Sequence, residues 1–163
     1  MNQILIKETK MRNPSERHLK HFILAIILMA FSSGLSAETL FTCGESSGWS
    51  YNFSGGMVPD SKIGFQKDGI SGAKTSVVVT QENGFDILFI DAMGKIKSAV
   101  AQGAKVAPLS NGDNGIISLL MIYPAELIEI YSYDINRKKL LLTQHKYDGI
   151  IARKASMVES DCS

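Results

Sequence analysis

From residue 40 onward, apolar positions recur every second residue in short runs, and turn residues interrupt the runs every few positions. Phe85, Ile87, Phe89 and Asp91 fall on one side of such a run, with Asp86, Leu88 and Ile90 on the other. That period of two is the signature of strands, and no segment sustains a 3.6-residue period over three turns. The pattern predicts strands over 40–43, 49–54, 74–81, 85–91, 95–102, 105–109, 116–123, 127–134, 140–146 and 154–158. Glycines and Asn-Gly pairs between them supply the positive φ angles of tight hairpins. Pro124 to Glu129 is the best helix candidate, but the β-like run from Glu129 to Tyr133 makes it a turn entering a strand. The run from Ile116 to Ile122 is apolar on both sides, which predicts a central strand covered on both faces. The expected fold is all-β: an antiparallel meander of about 8–10 strands closed as a small barrel or sandwich.

The first 37 residues follow a different pattern. Lys7, Lys10, Arg12, Arg17 and Lys20 precede an uncharged apolar run from Phe22 to Phe31, and small residues follow as far as Ala37. Basic, apolar and small segments in that order predict a signal peptide over 1–37, cut before Glu38, with Met11 as a second possible start. The apolar run is about half the roughly 20 residues that a membrane-spanning helix needs. Leu40, Phe41 and Thr42 before Cys43 are too bulky for a lipid-attachment box. One β domain over 38–163 and a periplasmic or secreted location are expected.

Composition sharpens this picture once the leader is set aside. The leader holds five Lys/Arg and two Asp/Glu, so the whole chain's 17 and 16 leave 12 and 14, a net charge of −2. A nucleic-acid partner, which needs a basic face, is disfavoured. The cluster Arg137-Lys138-Lys139 reads as a solvated turn. Cys43 and Cys162 stand at the two ends of the domain, and in an oxidising compartment they are expected to pair. His145 is the only histidine after the leader, so no Cys/His zinc quartet can form.

Catalytic signals are thin. Gly44-Glu45-Ser46-Ser47-Gly48 matches G-x-S-x-G, but the strand-turn-helix context of a nucleophile elbow is missing. It reads as a chance match in a hairpin loop. His145 sits on a strand with Leu141 and Thr143, the setting of a half-buried structural residue. Carboxylate pairs are conceivable at Glu126/Glu129, Asp86/Asp91 and Asp113/Asp148, though nothing in the spacing selects one. The oxygen-rich segment Asn111 to Gly115 lacks EF-hand spacing and is explained by Asx turns. Neither a phosphate loop, nor a dinucleotide fingerprint, nor C-x-x-C is present, so no cofactor is expected. Trp49, Tyr51 and Phe53 share one strand face, and Tyr131 and Tyr133 another. Such rows form core and cross-strand pairs, or line a calyx or protein-binding face.

Phe41-x-Cys43, Gly48-x-x-Tyr51, Ile70-Ser71-Gly72, Asp86-x-x-x-x-Asp91, Tyr123-Pro124, Thr143-Gln144-x-Lys146 and Asp161-Cys162 together resemble small secreted proteobacterial proteins without an assigned activity. That resemblance implies a secreted β domain and no particular chemistry. Ser71-Gly72-Ala73-Lys74 is similar, more weakly, to the S-G-x-[KR]-Y segment of periplasmic β-barrel lysozyme inhibitors, with Thr75 in place of the tyrosine. Three readings stay open. The first is a non-enzymatic exported domain that contacts a protein or envelope component. The others are a barrel that binds a small ligand and a small hydrolase with an unrecognised site.

Overall fold

The computed structural model describes residues 37–82, 84–147 and 153–163; residues 1–36 of the expected leader and Asp148 lie outside them. Among the described residues the chain is all-β, a curled antiparallel sheet that forms a half-barrel. The strands are β1 (Glu38–Asn52), β2 (Gly64–Ile70), β3 (Lys74–Thr80), β4 (Gly84–Ile90) and β5 (Ile96–Ser98). They continue as β6 (Lys105–Asn111), β7 (Ile116–Tyr123), β8 (Leu127–Asp134), β9 (Lys139–Lys146) and β10 (Lys154–Cys162). The sheet order is β5-β4-β3-β1-β10-β9-β8-β7-β6, with β2 paired to β1 off this path.

Read around the curl, this order is a meander whose first and last strands meet. The break in the ring falls between β5 and β6. There β4 and β6 approach within 8 Å at their Cα atoms without forming a ladder. A 3-10 turn at Val100–Gln102 follows β5, and Ala99 and Ala104 on either side of it are buried in the core. Asp86 organises that turn: its carboxylate accepts the Ser98 hydroxyl at 2.6 Å and the Val100 N–H at 3.1 Å.

The core lies on the inner side of the curl. Phe41, Val77, Ile87, Leu119, Met121, Tyr131, Tyr133 and Leu140 are buried there. Phe41 on β1 stacks on Tyr133 of β8 across the hollow, with ring centroids 4.1 Å apart. Cys43 and Cys162 are paired in register on β1 and β10 and joined by a disulfide, with Cα atoms 3.9 Å apart. Thr42 and Ser163 exchange two backbone hydrogen bonds beside it.

Sequence and structure part in several places. The expected strands at 40–43 and 49–54 are one strand, because residues between them pair with β10 and β2. β2 was not expected: its two glycines and Asp68-Gly69 imitate a turn. The stretch 95–102 is a three-residue strand and a 3-10 turn, not one strand. β7 lies one strand in from the β6 edge, and its outer residues Leu120 and Ile122 are half-buried, so it is not central. The turns at 91–95 and 134–138, each an Asp, three turn residues and a Lys, share a device. Asp91 accepts the N–H groups of Met93 and Lys95, as Asp134 accepts those of Asn136 and Arg137. Lys138 takes a positive φ of 53° in the second turn, so the basic trio does decorate a hairpin.

Candidate binding face and inner hollow

A bulge in β1 decides which side chains meet solvent. Toward β10, Cys43 is opposite Cys162 but Ser46 is opposite Ser160, so β1 carries one extra residue at Gly44-Glu45. An extra residue reverses the alternation of everything beyond it. Before the bulge, the odd residues Phe41 and Cys43 point inward and are buried. After it, the even residues Ser50 and Asn52 are buried, and Trp49 and Phe53 are exposed at 55% and 47%. The core reading of the aromatic row is thereby corrected: unbroken alternation from Phe41 would have buried it.

The G-x-S-x-G match is this bulge, within a strand and not in a hairpin loop. Ser46 Oγ accepts the Ile70 N–H at 3.0 Å, and Glu45 accepts the Gly72 N–H at 2.8 Å. Both side chains pin the β2–β3 connection. His145 is exposed on β9 opposite Ala155, five positions along β10 from Ser160, the partner of Ser46. At about 3.3 Å per residue that is roughly 17 Å, beyond hydrogen-bond reach.

The outer face of β1, β2 and β10 is unusually apolar. One row across it is Phe65–Tyr51–Ala155–His145, and the next is Lys67–Trp49–Met157–Thr143. Tyr51 meets the rings of Phe53 and Phe65 at centroid distances of 5.1 Å each. Phe65 is 80% exposed and Met157 56% exposed. Beside Trp49 runs a furrow, where Ser47 and Gly69 present almost no side chain, bounded by Leu141 and Glu159. Gly48 is obligatory below it, since a Cβ there would lie 2.1 Å from the Met157 carbonyl oxygen. Lys67, His145 and Arg153 flank the patch.

The inner face carries a polar row: Ser50, Ser156, Gln144 and Glu129 lie in register on β1, β10, β9 and β8. Glu129 is buried and accepts hydrogen bonds from the Tyr131 hydroxyl and the Gln144 amide. Burial pushes its pKa up; the two hydrogen bonds and the Lys154 charge oppose that without reversing it. Burial and the Glu129 charge hold the Tyr131 phenol well above its ordinary value, so it stays a donor. Ser50 Oγ is buried and has no hydrogen-bond partner among the described residues. Lys154 pairs with Asp68 at 2.6 Å, tying β10 to β2.

The conceivable carboxylate pairs have separate duties. Glu129 is buried while Glu126 sits in the turn before β8, and Asp86 and Asp91 each cap a different turn. Asp113 accepts from the Asn111 amide in the Asx-rich hairpin between β6 and β7. Among the described residues no three His, Cys, Asp or Glu side chains come together as a metal site. No described helix is long and apolar enough to cross a membrane. Comparison with family models, curated proteins and solved structures finds no match to this chain.

Proposed function

We propose that the chain is an exported, non-enzymatic domain that docks a partner protein on the outer face of β1, β2 and β10. The observation that carries this reading is the bulge, which turns Trp49 and the half-buried Tyr51 to the outer face beside exposed Phe53, Phe65 and Met157. Aromatic residues and methionine are the types enriched at interface cores, and clustered exposed apolar side chains mark interaction sites more often than scattered ones do. Lys67 and Arg153 at the rim outnumber Glu159, so the partner is a protein with an apolar stripe bordered by acids. A second copy docked face to face would set these basic groups against one another. The leader pattern and the disulfide support export to an oxidising compartment.

A photocrosslinking amino acid at position 65, compared with one at Met93, tests the face in the producing cell. One discrete heteromeric adduct from position 65, lost on Trp49→Ala, is expected. Equal adducts from both positions, none from either, or an adduct of twice the protein's own mass would overturn it. Intact mass of the mature protein tests the address separately: loss of 37 residues is expected, and an uncut chain would remove export.

A further inference from the structure

A cavity of about 200 Å³ opens in the hollow of the half-barrel, away from the aromatic face. One wall is the inward row Thr75–Phe89–Lys97 across β3, β4 and β5. The opposite wall is the row Ser46–Ser160–Leu140 across β1, β10 and β9, with Leu142 beside it. Lys74 and Lys95 stand at the rim.

The charges around this space are unequal. Asp91 is the one carboxylate among the cavity's residues, and its Oδ1 is already engaged by the Met93 and Lys95 N–H groups. None of the three lysines has an ion-pair partner among the described residues. Lys97 lies in register with Phe89, so its side chain leaves the sheet on the cavity's side, and the residue is exposed at the mouth.

We propose that this cavity binds an amphipathic anion, a long-chain carboxylate. Its tail lies against Phe89, Leu140 and Leu142, and its head group meets Lys97 with Lys74 and Lys95 around it. The volume is below the roughly 300–1,000 Å³ of drug-sized sites, so the cavity takes the apolar tail and leaves the head group at the mouth beside the lysines. An inward lysine on a short edge strand also has a duller use, as a guard against edge-to-edge pairing. The experiment separates the two.

Dodecanoate, dodecanol and dodecyltrimethylammonium are titrated calorimetrically, each below its micellar concentration, into the disulfide-intact protein. Saturable one-to-one binding of dodecanoate is expected, with the cation weaker by about tenfold or more. Lys97→Glu should weaken dodecanoate by about tenfold, and Ala73→Trp at the cavity wall should block it while near-ultraviolet dichroism stays native. Trp49→Ala should leave binding unchanged, which keeps this site distinct from the docking face. Absence of saturable binding, equal affinity for acid and cation, or an unchanged Lys97→Glu would overturn the proposal, the last leaving Lys97 as an edge guard.

Discussion

Glu129 shows how far one side chain can tie stability to acidity. Its pKa is raised, so between the ordinary carboxylate range and its own titration the folded chain holds a proton that the unfolded chain has released. Stability from this group is therefore full at low pH and falls as pH rises through the folded value. Urea midpoints measured from about pH 4 to 7 should fall in the parent, and Glu129→Gln should flatten that decline. Glu129→Ala strands the Tyr131 hydroxyl and should cost about 1–3 kcal/mol across the range. Phe41→Ala removes the ring stacked on Tyr133 and should cost about 3–5 kcal/mol in the same unfolding measurement. Little of this was legible beforehand. Alternation shows that Trp49 and Tyr51 share a face, but the single extra residue that chooses the face leaves no mark in the hydrophobic pattern. Glu129 stood out no more than Glu126, because its burial depends on Tyr131 and Gln144 arriving from the sheet.

Elements were easier to read where turn chemistry bounds them. β7 and β8 begin and end where the alternation and the Asn-Gly and Tyr-Pro punctuation place them. The hydrophobic pattern hides β2 because its inward side, Gln66 and Asp68, is polar, and Lys154 from β10 provides the ion pair that lets Asp68 sit there. The pattern divides β1 because glycine and serine in its middle suggest a loop, whereas they make room for close neighbours. Gly48→Ala tests that reading: a methyl group forced onto the β10 backbone should cost about 1–3 kcal/mol in thermal or chemical unfolding. The bridge between β1 and β10 was expected from compartment and count, and the register sets both sulfurs within reach. Closing a loop of 119 residues should be worth about 4–5 kcal/mol by chain entropy, with about 2–4 realised. The double variant Cys43→Ala/Cys162→Ala should still fold, since eight paired positions join these strands, but hydrogen exchange should quicken first at Thr42 and Ser163.

At the scale of the molecule, the two ends of the main strand path, β5 and β6, fall in the middle of the chain, and β2 adds a further free edge beside β1. β6 carries Pro108 and a register irregularity after it, and β5 is only three residues long. Both features discourage pairing with other chains. Pro108→Val should leave the monomer's melting temperature nearly unchanged and raise its aggregation rate, measured by light scattering at 37 °C (about physiological temperature). The all-β class was legible because short alternating runs cannot hide. The ring order was not, since nothing local records that β1 pairs with a strand more than a hundred residues later. That pairing has a consequence in time. As the chain leaves the ribosome, β1 emerges early and must wait for β10, which arrives after every other strand. The centre of the sheet is completed last, so a nascent chain stopped before β10 has hairpins but no closed core. A permutant that joins Ser163 to Glu38 through a short linker and opens at Gly103, between β5 and β6, turns this distant pair into neighbours. Lower contact order should make it refold faster than the parent in stopped-flow fluorescence. The same rearrangement would let the centre of the sheet close while β2 to β5 are still being synthesised.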